Sequence, residues 1–289
     1  MDAILHSLLD EMDSRGIVPT EDIIADGTVH RFHNKGDTAN KRNGWVIVNT
    51  GSFPSAIFGS WKTGAKHRWH FKQPMTADEE KQARRELYQL QKKNALDMDR
   101  KHAQAVETAG QVIANAAPAS QNHPYLVSKQ IKPCGALQSD NVLIIPLYHE
   151  GKLVSLQAIY PEGGKRFLQG GRVTGCYFLI GEVTDRLLIA EGFATAATLH
   201  EKYNTPVAVA FNAGNLSAVA QTMHKQYPDA DIKVAADNDQ WTADNPGMRN
   251  ARIAAALIKA PLIYPVFDDL DVSSKPTDFI DYFRLGGAL

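Results

Sequence analysis

Between residues 186 and 285 the chain alternates short apolar runs with helical stretches, and this alternation limits the possible fold more than any other feature. Arg186–Ala190, Pro206–Phe211, Ile232–Ala236 and Leu262–Phe267 read as strands, rich in Val, Ile, Leu and Ala. Phe193–Tyr203, Leu216–Gln226, Gly247–Ile258 and Phe279–Leu285 read as the helices between and after them. Strands separated by helices of about three turns predict a parallel sheet with helices on its faces. Ligands of such sheets sit outside the carboxyl ends of the strands. There the first strand runs into Glu191-Gly192, the second into Asn212-Ala213-Gly214-Asn215 and the third into Asp237-Asn238-Asp239. The loop after the fourth carries Asp268, Asp269, Asp271, Lys275, Asp278 and Asp281.

Asp237-Asn238-Asp239 has two readings. One is a solvated turn, which Asp and Asn favour because their side chains bond the nearby backbone. The other is a divalent-metal site, because hard cations such as Mg²⁺ bind through one or two carboxylates plus substrate phosphates. The second gains weight once Glu191 and the later acids fall at the same sheet edge. Carboxylates gathered this closely do not all ionise without a cation. A metal so held clamps phosphate oxygens, and phosphoryl transfer needs such positioning more than covalent help. No Walker loop, GxSxG or HExxH competes.

Upstream the texture differs. MDAILHSLLDEMDSRG reads as a short amphipathic helix, too short on its apolar side for a signal peptide. Residues 26–75 break into short apolar runs between Gly-, Asn- and Ser-rich turns, which predicts a small β-rich module. Its aromatics Phe32, Trp45, Phe53, Phe58, Trp61, Trp69 and Phe71 are interleaved with basic residues and histidines. Residues 27–75 hold eight Lys/Arg against one acid, a balance of +7; residues 181–289 hold nine against fourteen, a balance of −5. A basic front and an acidic back suggest an anionic polymer held at one end and metal chemistry at the other. Residues 77–115 read as one long, largely polar helix or two joined ones, opened by Thr76 and Glu79 as a capping box. Then Val142–Leu147 and Lys152–Ile159 form a hairpin, followed by Lys165-Arg166-Phe167 after a Gly163-Gly164 turn. Composition is that of a globular protein, 44 % hydrophobic and 22 % charged, with no run approaching a membrane span. Two cysteines, Cys134 and Cys176, supply neither a disulfide framework nor a four-ligand zinc site. A soluble, cytoplasmic protein is expected. His30, His33, His67 and His70 read as surface or nucleic-acid-facing residues.

LLIAEGFATAATLHE, VAVAFNAGNL, YPDADIKVAADND and KPTDFIDYF, in that order, resemble a Toprim domain. More closely, they resemble the Toprim primases of phages and plasmids, relatives of the bacterial replicative primases. HPYLVSKQIKP, NVLIIPLYHEGKLVSLQAIYPEGGKRFLQGG and GCYFLIG resemble the subdomain that precedes Toprim in those enzymes. DGTVHRF, NGWVIV and FGSWKTG resemble the N-terminal module of the mobile-element group. The resemblance implies an α/β fold: a C-terminal Toprim domain with a parallel sheet flanked by helices (184–289), preceded by an α+β primase subdomain (121–183), a helical connector (76–120) and a small β-rich basic module with an N-terminal helix (1–75). It implies Glu191, Asp237 and Asp239 as catalytic residues, and those three with Asp278 and Asp281 as metal-holding residues. It also implies Lys165 and Arg166 facing nucleotide or template; Lys129 and Asn212 are further candidate nucleotide-binding residues. Two departures stand out. Replicative primases carry an Asp four residues after the glutamate, where this chain has Thr195. They also carry an N-terminal zinc ribbon, whose cysteines are absent here, so no zinc is expected.

The expected activity is DNA-dependent RNA priming: a nucleotidyltransferase making short primers on single-stranded DNA with NTPs and Mg²⁺ or Mn²⁺, for phage or plasmid replication. Arg31, Lys41, Arg42, Trp61, Lys62 and Lys66 are the candidate DNA-binding residues, since bases stack on aromatics while Lys and Arg follow phosphates. A replicative helicase is the expected partner, in trans or in a longer chain, and no membrane is. The alternatives are a Toprim-type metal-dependent nuclease and a non-enzymatic single-stranded-DNA-binding accessory of a helicase. Residues 121–180 argue against the nuclease, which does not need them, and the intact Glu191/Asp237/Asp239 set argues against a purely binding role.

Overall fold

A computed structural model describes residues 2–39, 41–51, 53–71 and 76–288, without the side chains of residues 77, 79, 80, 83 and 87. The chain divides into two compact units, Met1–Asp97 and Met98–Leu289.

In the first unit, helix α1 (Asp2–Ser14) brings Leu8 and Met12 to a four-stranded antiparallel sheet. Its strands β1 (His30–Phe32), β2 (Gly44–Asn49), β3 (Ser55–Ser60) and β4 (Ala65–His70) lie in sequence order. The register pairs Val46 with Phe58 and Val48 with Ala56. Period-two alternation therefore turns all four, with Phe32, into one core with the helix. Burying side chains such as Phe58 and Leu8 contributes about 1.5–3 kcal/mol each. The other face is aromatic: Trp45 lies over Gly59, where any Cβ would overlap the Trp45 ring and the Ala65 carbonyl. Trp61 lies against Trp45, with ring centroids 5.5 Å apart and planes tilted by 32°.

Helix α2 (Ala77–Asn115) is a single 39-residue helix, and the division between the units falls inside it. The capping box expected at Thr76 and Glu79 lies outside the described residues. Toward its end Ala109, Val112 and Ile113 pack on Ile144 and Leu156, so this helix is not polar all round.

The second unit has two sheets. A five-stranded antiparallel sheet runs β5 (Ala117–Pro118), β6 (Leu137–Ser139), β7 (Val142–His149), β8 (Lys152–Ile159) and β9 (Lys165–Phe167), in that order. The short helix α3 (Pro124–Lys129) sits between its first two strands in sequence. Its N-cap is His123, whose Nδ1 accepts from Tyr125 N while its other ring nitrogen meets the Asn141 carbonyl at 2.9 Å.

The remaining elements are β10 (Phe178–Ile180), β11 (Arg186–Ala190), α4 (Phe193–Tyr203), β12 (Val207–Val209), α5 (Leu216–Gln226), β13 (Asp231–Ala235), α6 (Pro246–Ile258), β14 (Leu262–Ile263) and α7 (Phe279–Arg284). Their sheet has the order β10-β12-β11-β13-β14. β12, β11, β13 and β14 are parallel; β10 closes the edge antiparallel to β12, which the strand–helix alternation did not foretell. One face packs on α5 and α6 through Ile189, Val234, Val219 and Ala251. The other shares a single core with the antiparallel sheet, joining Leu143, Ile145 and Ile159 to Phe193, Val209 and Phe279. From β11 onward the chain thus forms a C-terminal α/β layer, with an α+β part before it. Two strands are shorter than expected. Pro206–Phe211 reduces to Val207–Val209 because Phe211 adopts a left-handed φ of 70° and turns the chain out. Leu262–Phe267 ends at Ile263, ahead of Pro265, which has no N–H for a ladder. Among the described residues no helix is long and apolar enough to cross a membrane.

Candidate active site

The register sets the site. Ala190 pairs with Val209 on one side and Ala235 on the other, so three parallel strands end level. Glu191 follows one directly, and Asp237 follows another by two residues. The N–H of Ala213, in the turn that begins at Asn212, points its positive end toward Glu191 and favours the charged carboxylate. That turn is locked by Asn215, a buried side chain donating to the Cys176 and Ala210 carbonyls and accepting from Gly175 N. Asp237 Oδ1 is buried and has no hydrogen-bond partner. Asp239 Oδ2 accepts from Gly247 N at 2.9 Å. Gly247 is required there: a Cβ would lie 2.8 Å from both Asp237 O and Asp239 Oδ2. Asp278 caps α7 by accepting from Asp281 N at 2.9 Å, while Asp281 Oδ2 holds Thr277 N at 3.0 Å.

These carboxylates feel one another. Burial first, then Glu191, Asp278 and Asp239, push Asp237 well above the usual aspartate range. Burial and Asp239 raise Glu191, against the Ala213 N–H and Lys165. Burial also raises Asp278, opposed by the Asp281 N–H and Lys129. Lys165 answers them from β9. Its residue stays exposed overall, yet loss of hydration at the ammonium and repulsion from Lys129 lower it, while Glu191, Asp237 and Asp278 pull it up. Its Nζ lies 5.9 Å from the Tyr125 ring centroid, and 4.0 Å from where a Cβ on Gly192 would be.

The structure therefore brings together Glu191, Asp237, Asp239, Asp278, Lys165 and Lys129. Asn212 stands at the turn that holds Glu191. Arg166, the next residue along β9, lies over the Tyr160 ring instead, 5.7 Å from its centroid. Asp281 is engaged with the backbone, and Thr195 is buried in α4. The six candidate DNA-binding residues belong to the other unit. There Arg31 donates to the Arg42 carbonyl, Arg42 pairs with Glu21, and Lys62 pairs with Asp37 at 3.0 Å. Trp61 is 61 % exposed.

Sequence reasoning missed Tyr125. Its hydroxyl is buried without a partner and is pushed up to about 12 by burial and by Asp278. It lies in the HPYL stretch that carried part of the resemblance, the one signal for it. The clasp of Asp239 by Gly247 was also missed, although Asn245-Pro246-Gly247 announces a capped helix start.

Among the described residues no three His, Cys, Asp or Glu side chains close into a ready-made metal cage. The donors still fit a hard divalent cation. Mg²⁺ binds through one or two carboxylates and keeps water or phosphate in its other positions. An unpartnered Asp237 oxygen, with Asp239 and Glu191 in electrostatic reach, offers that donor set.

Residues 186–288 match the family described as Toprim domain. A DNA primase TraC of Escherichia coli is 29 % identical over 273 residues, 89 % of this chain and 26 % of that protein. A second Escherichia coli DNA primase TraC is 29 % identical over 258 residues, 84 % of this chain and 18 % of the relative. The chain thus spans about a quarter or less of the length of the curated relatives it matches. Among solved structures, the crystal structure of the Aquifex aeolicus primase (zinc-binding and RNA polymerase domains) aligns at TM-score 0.37 and 11 % identity, over 89 % of this chain and 76 % of that one.

Proposed function

We propose that this chain, which carries a Toprim domain over residues 186–288, is the primer-synthesising part of a DNA primase of the mobile-element type. The observation that carries this reading is the buried, unpartnered Asp237 Oδ1, one residue further along than Glu191 at the end of parallel strands and in electrostatic reach of Lys165. The two TraC primases, aligned over most of the chain, support it.

Asp237 and Asp239, with Glu191 and Asp278 beside them, would hold Mg²⁺ or Mn²⁺. When bound, the ion neutralises phosphate charge and orients the triphosphate. Lys165 and Lys129 take phosphate oxygens of an incoming NTP. Asn212 and Arg166 extend that nucleotide-binding edge, and Asp281 keeps Asp278 in place through α7. Glu191, raised above the usual carboxylate range and oriented by Ala213 N–H, accepts the proton of the attacking 3′-hydroxyl. The 3′ oxygen bonds to the α-phosphorus and pyrophosphate leaves. No zinc is needed. The first unit offers Trp61 and Lys66 to single-stranded template, with Arg31, Lys41, Arg42 and Lys62 shaping the surface around them. A helicase, on another chain or in a longer form of this one, supplies the unwound strand. The work is done on DNA in the cytoplasm during plasmid or phage replication.

The test is synthesis on single-stranded DNA with labelled NTPs, with Mg²⁺, with Mn²⁺ and with chelator. Short metal-dependent products support the reading. Strand cleavage without synthesis would replace it with a nuclease, and tight binding without either reaction would replace it with a helicase accessory.

A further inference from the structure

The segment between Asp239 and α6 carries a side chain that the chemistry above does not use. Trp241 is 45 % exposed, the largest apolar group left open beside the acidic edge. It is nevertheless held: its indole Nε1–H donates to the Pro276 carbonyl at 2.9 Å. That bond ties the loop after Asp239 to the segment leading into Asp278. The same two segments are joined again where Asn238 N donates to Thr277 O at 2.7 Å. The loop is braced internally as well. Thr242 N donates to Asp239 O at 2.8 Å, and Asn245 Nδ2 donates to Asn238 Oδ1 at 2.8 Å. Among the described residues no other aromatic ring stacks on Trp241. A ring fixed by its polar edge and still 45 % exposed suits a flat ligand. Trp241 is two residues from Asp239, and its anchor Pro276 is two residues from Asp278.

Charge narrows the ligand. The surrounding loops carry Asp239, Asp244, Asp268, Asp269 and Asp271 against Lys275, a balance that repels an anion. What this rim offers a nucleotide is therefore an apolar face for a base, while its phosphates go to the cationic side at Lys165. We propose that Trp241 is a nucleobase-stacking platform at the rim of the acidic site. The base comes from the incoming nucleotide or from the nucleic-acid strand, and the inference rests on the priming function proposed above. Stacking is tolerant of sequence, because every base presents a π-face.

The test compares Trp241→Phe with Trp241→Leu. Phe keeps a ring and loses the N–H bond to Pro276; Leu loses both. Affinity for a fluorescein-labelled oligo-dT and for each NTP is measured at equilibrium with Ca²⁺, and primer synthesis is measured with Mg²⁺. Trp241→Leu should lose about tenfold in binding, and Trp241→Phe should stay within about twofold of the parent. Loss confined to NTP, with raised KM and unchanged kcat, assigns the platform to the incoming base. Loss confined to oligo-dT assigns it to the strand. Equal impairment of both variants would overturn the proposal in favour of a loop clamp, and so would two variants indistinguishable from the parent. If the parent makes no primers, the priming reading fails; the platform then stands if the Leu-against-Phe contrast in oligo-dT or NTP binding persists, and falls if the parent binds neither.

Discussion

The two units treat charge in opposite ways. In the first, Arg42 meets Glu21, Lys62 meets Asp37, and Asp26 accepts from Thr28 N–H and lies 2.8 Å from His30 Nε2. In the second, Asp237 keeps a buried oxygen with no partner among three other carboxylates. Paired surface charges contribute little to stability and ask for no ligand. A buried, unpaired carboxylate oxygen is costly, and at the mouth of a sheet it makes Asp237 a candidate for a functional role. The basic unit looks more like a ligand-binding surface by composition, yet much of its charge is engaged within the fold. What it leaves open includes Lys66 and an aromatic, Trp61, tilted against Trp45.

The contrast is broken most directly at Asp237. Asp237→Asn should lower primer synthesis by about a thousandfold, several kcal/mol of transition-state stabilisation. In chelator it should leave the fold as stable as the parent or more so, because a buried repelled charge is gone. A parallel fall in activity and melting temperature would mean that Asp237 is a structural residue. Gly247→Ala comes next. The added methyl meets Asp237 O and Asp239 Oδ2, so synthesis should fall about tenfold or more and stability by about 1–3 kcal/mol. An active, unchanged variant would show that the clasp on Asp239 is dispensable.

Trp61→Ala tests the other side of the comparison. It should weaken single-stranded DNA binding by about 1–3 kcal/mol with the salt slope retained. Glu21→Gln, which frees Arg42, should change neither stability nor binding appreciably. The smallest effect is at Asp26. Hydrogen bonds from Thr28 N–H, His30 and Thr28 Oγ hold its carboxyl at about 2, below the usual aspartate value of 3.8. A depressed carboxyl stabilises the fold above its unfolded value, and that contribution is lost as pH falls through the folded one. Asp26→Asn should therefore flatten the pH dependence of stability between 3.8 and 2, followed by amide exchange in residues 26–60. An unchanged acid limb would remove Asp26 from the account.

Much of this was legible because local and tertiary signals agreed. Arg186–Ala190, Phe193–Tyr203 and Leu216–Gln226 form over the residues their periodicity indicates. Glu191 and Asp237 were found because a parallel sheet delivers strand ends to one edge. The rest depended on partners distant in sequence. Glu21 and Arg42 are 21 residues apart, Asp37 and Lys62 are 25, and neither pair leaves a local pattern. β10 is a three-residue run whose antiparallel place depends on β12. Tyr125 reads as an ordinary helix residue until its hydroxyl is seen buried near Asp278.

Under the proposed function, the unpartnered Asp237 oxygen meets a divalent cation. Binding of Mn²⁺ to the parent protein and to Asp237→Asn, followed by electron paramagnetic resonance without nucleotide or DNA, tests it most directly. Saturable Mn²⁺ binding is expected, displaced by Mg²⁺ and abolished or weakened at least tenfold by Asp237→Asn. Equal Mn²⁺ binding by the two proteins would contradict it.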